Sequence, residues 1–166
     1  TIAKVGVFVN QDINKVRAIA DDVGLDTLQF HGNETPEYCG EFKGSYKVIK
    51  AFRVSERKDI EPINSYDVDY FLVDAQKHGS FGGTGETFDW HLAVKAKEYG
   101  RIILSGGLTP DNIEAAVRFV QPYGVDVSSG VEASPGKKDP NKVRDFIARA
   151  KSIPLYYNQN FDEDDE

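Results

Sequence analysis

Short apolar runs alternate with longer stretches in which apolar residues recur at helical spacing. Lys4–Val9 (KVGVFV), Thr27–His31 (TLQFH), Lys47–Arg53 (KVIKAFR), Asp69–Asp74 (DYFLVD), Arg101–Leu104 (RIIL) and Gly124–Val127 (GVDV) read as strands. Ile13, Val16, Ile19, Ala20 and Val23 mark one face of a helix over Ile13–Val23. Pro36–Phe42 predicts a short helix with Pro in its first turn, Arg57–Asn64 another, and Asp89–Tyr99 a longer one. Thr109-Pro110 reads as a cap followed by Pro at the first helical position, opening a helix to Val120. Asp139-Pro140 opens the last helix, to about Ile153.

Strand-then-helix order, repeated six times, implies parallel strands joined by right-handed crossovers. The strands are nearly continuous apolar runs, as strands covered on both faces should be. Two α/β architectures fit: an open doubly wound sheet, or a barrel of eight such units with two missing. Periodicity does not choose between them. Chemistry at the strand ends favours the barrel, as follows.

Gly-rich loops follow two consecutive strands: Ser105-Gly106-Gly107 and Ser128-Ser129-Gly130. Glycine lets a backbone approach a phosphate and present its N–H groups. A short helix after Gly130 would add its N-terminal dipole. One such loop is usually just a turn. Two on the last strands of a βα array form the phosphate site common in (β/α)8 TIM barrels. Asp74 and Asp126 stand at strand ends, on the rim where ligands bind, and so does His31. Burial there could raise a carboxyl pKa toward general-acid use. The plainer readings are a carboxylate capping a loop and a histidine serving as a structural hydrogen-bonder. Gly79–Gly85 is the most glycine-dense stretch and could be a mobile lid. No nucleotide-binding loop or serine nucleophile elbow occurs.

Composition narrows the classes. The 166 residues suit one domain, with 40% hydrophobic and 28% charged residues. No apolar run approaches the ~18 residues of a membrane span. Thr1–Asn10 reads as a strand and not as a signal peptide. Cys39, the single cysteine, cannot form an internal disulfide, which fits a reducing, cytoplasmic setting. It falls in a short helix and reads as packing. His78 and His91 read as incidental, and the three histidines lack metal-ligand spacing. The net charge is −7, and the last five residues are all acidic. The remainder is close to neutral, so no nucleic-acid partner is expected. The expected organisation is a barrel unit over residues 1–154 and a solvated acidic tail over 155–166.

Several blocks resemble one family. VGVFVN (Val5–Asn10), LQFHGNE (Leu28–Glu34), VIKAFRV (Val48–Val54), FLVDAQ (Phe71–Gln76), GGTGETFDW (Gly82–Trp90), ILSGGLTPDNI (Ile103–Ile113) and GVDVSSGVEASPGKKD (Gly124–Asp139) are similar to successive blocks of phosphoribosylanthranilate isomerase. They stand in that family's order at similar spacing. The resemblance implies a (β/α)8 barrel of tryptophan biosynthesis that uses no metal or cofactor. It implies an Amadori rearrangement of a small phosphosugar, N-(5-phosphoribosyl)anthranilate, to the 1-deoxyribulose 5-phosphate. An acid protonates the ribose ring oxygen so that the ring opens to an imine. A base then takes the C2 proton. By motif, Asp74 matches the general acid, His31 a residue close to the sugar, and Asp126 a carboxylate near the anthranilate. Gly106, Gly107, Ser129 and Gly130 match the phosphate-binding loops.

The departure is at the front. The family begins with a K-I-C-G strand whose Cys is the base, and the following unit supplies an Arg for the anthranilate carboxylate. Neither motif occurs here, and Cys39 lies on the wrong element to replace the first. About six of eight βα units are therefore expected. A six-unit protein would leave two open sheet edges, so a piece of a full enzyme is favoured, completed by an N-terminal segment or a second chain. The competing expectations are another phosphosugar isomerase of the same fold and an inactive phosphate-binding fragment.

Overall fold

A computed structural model describes residues 2–74 and 90–156 of the chain. The elements run β1 (Val5–Phe8), α1 (Ile13–Val23), β2 (Thr27–Phe30), α2 (Pro36–Gly40), β3 (Lys47–Arg53), β4 (Tyr70–Asp74), α3 (Trp90–Ala96), β5 (Ile102–Ser105), α4 (Ile113–Val120) and β6 (Gly124–Val125). A small hairpin of β7 (Glu132–Ser134) and β8 (Lys137–Lys138) then precedes α5 (Pro140–Ser152).

Strands β1 to β6 form one parallel sheet in strictly sequential order. An open doubly wound sheet reverses its strand order at a switch point, where its ligand binds. No reversal occurs here, so the order is that of a barrel wall.

The register sorts side chains onto two faces. Val7, Gln29, Ile49 and Tyr70 are successive partners, and so are Ala51, Leu72 and Ile103. These point to the concave side, where Ile49, Ala51 and Leu72 pack with Tyr70 and Ile103. The alternate residues meet the helices, because successive strand side chains point to opposite faces. Phe8, Leu28, Phe30 and Val48 pack with Val16 and Ala20 of α1 and Cys39 of α2. Phe71, Val73, Ile102 and Leu104 pack with Ile113, Ala116 and Val120 of α4 and Phe146 of α5. On β1 the concave row of Val5, Val7 and Val9 is 46%, 60% and 61% exposed, against 7% for Ile49.

Local differences from the sequence expectation have physical causes. The stretch after β3 forms two 3-10 turns, Arg57–Asp59 and Glu61–Ser65, in place of a helix. The Asp59 carboxylate accepts the N–H groups of Ser55 and Glu56 and tightens the first turn. Helix α4 starts at Ile113, not beside Pro110. Asn112 accepts from the Thr109 N–H at 2.9 Å and donates to the Gly107 carbonyl at 2.9 Å, which holds these residues as a separate turn. The expected helix after Gly130 is only the 3-10 turn Ser129–Val131, running into the hairpin. Asp139 does cap α5, accepting from Asn141 and Lys142. Tyr156 N–H donates to Gln121 at 2.7 Å, tying the chain to the end of α4 that far. The rest of the expected acidic tail, His78 and the expected lid Gly79–Gly85 lie outside the described residues.

Candidate active site

Every side chain singled out at a strand end lies on the rim formed by the C-terminal ends of the strands. Asp74 is the last residue of β4 and registers with Arg53 of β3 and Ser105 of β5. Its carbonyl accepts the Val54 N–H at 3.0 Å, which fixes the strand end. His31 is one residue beyond β2, its N–H donated to the Phe8 carbonyl at 2.9 Å. The inward alternation of β2 turns the imidazole across the end of β3, where Nε2 stands 3.7 Å from Asp74 Oδ2. Both side chains are about one-fifth exposed (22% and 20%), open enough for a substrate and shielded enough to strengthen a polar contact between them. Gln29, two residues back on the same face and buried, sets its amide nitrogen 3.2 Å from His31 Nδ1. In that arrangement Nδ1 accepts, and the ring proton sits on Nε2, facing Asp74.

The line of polar groups continues along the rim. Ser105, buried at the end of β5, donates from Oγ to Asp126 Oδ2 at 2.9 Å. Asp126 is exposed and lies one residue past β6, with its N–H donated to the Leu104 carbonyl at 2.8 Å. His31, Asp74, Ser105 and Asp126 thus follow one another across β2, β4, β5 and β6.

The two glycine loops meet beside this line. Gly106 and Gly107 have φ of 91° and 62°, conformations that glycine adopts without strain. Asn112 holds the turn from behind. A Cβ on Gly130 would fall inside the van der Waals radius of the Leu108 carbonyl oxygen, so the loops after β5 and β6 lie in backbone contact. Lys138 closes the second loop from the hairpin, donating to the Ser128 carbonyl at 2.8 Å and pairing with Glu132 at 2.9 Å. Gly106 and Gly107 on one loop and Ser129 and Gly130 on the other thus belong to two loops joined at the Gly130–Leu108 contact.

Neither Lys50 nor Glu34 stands out in the sequence, yet they form a buried ion pair just behind His31, Nζ to Oε2 at 3.2 Å. The only signal is a charged residue in an otherwise apolar strand, VIKAF. Burial pushes the Glu34 carboxyl up, but the Asn10 N–H and Lys50 outweigh it, so its pKa is held below the usual carboxylate value. Cys39 is buried, and desolvation pushes its thiol up to about 12, which makes it an inert packing group. His91 lies on α3 with its ring edge against Phe119, away from the rim. Among the described residues no three His, Cys, Asp or Glu side chains cluster in a way that could hold a metal ion. No helix among them is long and apolar enough to cross a membrane.

Residues 1–149 match the family model for N-(5'-phosphoribosyl)anthranilate (PRA) isomerase. The N-(5'-phosphoribosyl)anthranilate isomerase of Citrifermentans bemidjiense is 54% identical over 151 residues, 91% of this chain and 72% of that protein. Among solved structures, the phosphoribosyl anthranilate isomerase from Thermotoga maritima superposes with a TM-score of 0.83 at 42% identity, over 92% of this chain and 74% of that one. A phosphoribosyl anthranilate isomerase in complex with reduced 1-(o-carboxyphenylamino)-1-deoxyribulose 5-phosphate superposes at 0.80 and 39% identity, over 92% and 73%. With a family model over most of its length, close relatives and a barrel-ordered sheet, this chain belongs to the N-(5'-phosphoribosyl)anthranilate isomerase family.

Proposed function

We propose that the chain provides the acid and phosphate-binding parts of a phosphoribosylanthranilate isomerase, working in the cytoplasm on the tryptophan pathway. The reaction is the Amadori rearrangement of N-(5-phosphoribosyl)anthranilate to 1-(2-carboxyphenylamino)-1-deoxyribulose 5-phosphate. The observation that carries the reading is Asp74 at the rim, 3.7 Å from His31 and in register with the strand that opens the Gly106–Gly107 loop.

In this reading the loops after β5 and β6 receive the 5'-phosphate on backbone N–H groups of Gly106, Gly107, Ser129 and Gly130. That sets the ribose over Asp74, which gives its proton to the ring oxygen as the C1–O bond breaks and the imine forms. His31, with its proton on Nε2, steadies the Asp74 carboxylate that remains. Asp126, held by Ser105, faces the anthranilate end. The second step removes a proton from C2, giving an enolamine that becomes the ketone. Cys39 cannot remove that proton: it is buried behind β2 and β3 with its thiol pushed up to about 12. The base and the anthranilate-binding Arg of the resembling family come, in this proposal, from two further βα units.

The sheet offers a place for them. The outer edges of β1 and β6 pair with no described strand. The valine row of β1 is exposed, and an apolar groove of about 540 Å³ runs beside β6, lined by Val117, Val125, Val127, Phe146, Ile153 and Leu155. Two parallel strands with their helices would cover both and close the barrel.

The test is a fluorescence assay of phosphoribosylanthranilate consumption by this chain alone and with a separately made N-terminal βαβα segment carrying the family Cys and Arg. Turnover only in the second sample is the expected result. Turnover by the chain alone would place the base among its own residues and overturn that part of the account. Binding of the reduced product analogue without turnover in either sample would favour the reading as a phosphosugar-binding fragment, for which the sequence's lack of a K-I-C-G motif speaks.

A further inference from the structure

We propose that the buried Lys50–Glu34 pair is a positioning device that clamps the backbone on both sides of His31 and so holds its imidazole against Asp74; this rests on the reading of His31 and Asp74 as the acid end of the site.

Lys50 occupies an outward position of β3, between the sheet and the helices. Its neighbours on that face, Val48 and Phe52, are apolar, as the layer demands. An ammonium that is 2% exposed there is out of place on grounds of stability. Each buried ion loses several kcal/mol of hydration, on the order of what its partner returns, and an apolar pair of similar volume often does as well or better. The pair's contacts show what it does instead. Lys50 Nζ faces four acceptors with three N–H groups, one of them shared: the carbonyls of Phe30 (3.3 Å), Gly32 (2.8 Å) and Ala51 (3.2 Å), and Glu34. Glu34 accepts the Gly32 N–H at 2.9 Å and the Asn10 N–H at 2.7 Å.

Phe30 and Gly32 flank His31, whose own N–H goes to Phe8. The backbone is therefore tied before, at and after the histidine. Charge-assisted bonds to backbone are roughly twice as strong as neutral ones, and they are directional. Around them, Asn10 (φ 49°) accepts the Asn33 N–H on its side chain at 2.7 Å, binding the loop after β1 to the loop after β2. Tyr66 donates its hydroxyl to the Glu34 carbonyl at 2.8 Å, and its ring lies 6.0 Å from Lys50 Nζ. The hydrogen bonds of the Lys50 ammonium and the Glu34 carboxylate go to backbone groups and to each other. They act through His31.

The experiment compares the chain with Lys50→Met/Glu34→Gln, which removes both charges with little change of volume, and with Asp74→Asn. The readouts are thermal melting, amide exchange at Asn10 and Gly32, and the ring nitrogen and carbon resonances of His31. The expected result is a folded double variant in which Asn10 and Gly32 exchange at least about tenfold faster and the His31 ring resonances move as they do in Asp74→Asn. Wild-type exchange at both amides, or unmoved His31 resonances, would overturn the proposal. If Asp74→Asn itself leaves His31 unmoved, the His31–Asp74 reading fails, and the two amides still test the clamp alone. Should the double variant not fold, Glu34→Gln keeps the Lys50 contacts, and faster exchange confined to Asn10 and Gly32 is then the supporting outcome. In the catalytically complete enzyme, kcat falls on the order of tenfold to a hundredfold while KM changes little, because the phosphate loops lie elsewhere. Restoration by Glu34→Asp of part of the lost kcat would separate positioning from mere loss of folded protein.

Discussion

Around His31 the backbone is held by charge: Lys50 and Glu34 reach its neighbours Phe30 and Gly32 through three contacts of 3.3 Å or less, from side chains that are themselves buried. Around Gly106–Leu108 and Ser129–Val131 it is held mainly by shape, with left-handed glycines, the neutral Asn112 bracket and direct backbone contact between the loops, and the one charged support, the Lys138–Glu132 pair at the Ser128 carbonyl, is exposed to solvent on its lysine side. The two jobs differ. The residue that steadies the proton donor must itself be placed by side chains, to within about 0.5 Å, on a loop that would otherwise move. A phosphate is received by backbone N–H groups, which need close approach and no side chain in the way.

The largest effect expected on either side is that of Asp74→Asn. It removes the proton but keeps the shape, so turnover in the completed enzyme should fall on the order of 10²–10⁴-fold. Affinity for the reduced product analogue, which the phosphate loops dominate, should stay within about threefold by titration calorimetry. An unchanged rate would break the division of labour, because the acid would then lie elsewhere.

Next come the glycines, and here the structure revises what the sequence expects. Crowding of the phosphate is the expected effect of Gly130→Val, but the new Cβ points at the Leu108 carbonyl, not outward. The substitution should therefore force the loops apart, lowering stability by about 1–3 kcal/mol as overpacking does, and weakening phosphate affinity as a consequence. Gly107→Ala is the control. Its φ of 62° is strained for alanine, while nothing lies within 4 Å of the added methyl. It should cost about 1–2 kcal/mol through the backbone alone. Denaturant melts of both, with parallel titrations of the product analogue, check the pair. Equal losses of affinity at equal loss of stability would mean that contact between the loops is immaterial.

The contrast also explains what could be read in the sequence. Parallel strands, their number and the rim positions of His31, Asp74 and Asp126 follow from period and from strand ends, which are local features. So do the Ser105–Gly107 and Ser128–Gly130 turns. The sequential strand order, which decides for a barrel wall, is a matter of which strand lies beside which, and in the sequence the phosphate-loop argument and the family resemblance pointed that way. The charged clamp is not local either: Lys50 and Glu34 are 16 residues apart, on a strand and a loop, and each alone looks like a surface charge. Asn112 reads as an ordinary residue near a helix start. Its side chain instead folds back on Gly107, which is why α4 begins three residues after Pro110. The β7–β8 hairpin rests on the Glu132–Lys138 pair, again a contact between separated charges.

The finest probe of the comparison is pH. Glu34 has a folded pKa below its usual value, because the N–H groups and Lys50 that hold it outweigh its burial. The unfolded chain therefore binds this proton more readily than the folded one. The stability that Glu34 contributes is fully present above its unfolded pKa of about 4.5 and is lost as pH falls through the lower folded value. As it protonates, Lys50 is left buried without a counter-charge, and the clamp on His31 should loosen before the chain unfolds. Asn112 has no proton to gain in that range, so the turn it brackets should hold. Amide exchange measured from pH 6 to pH 3.5, with each rate corrected for the intrinsic pH dependence, should show Asn10 and Gly32 losing protection while Thr109, bonded to Asn112, does not. In Glu34→Gln that difference should vanish, since the glutamine carries no titrating proton. Parallel loss at all three amides would mean that the acid response belongs to the whole fold, and that charge on one side and shape on the other make no difference to how the rim comes apart.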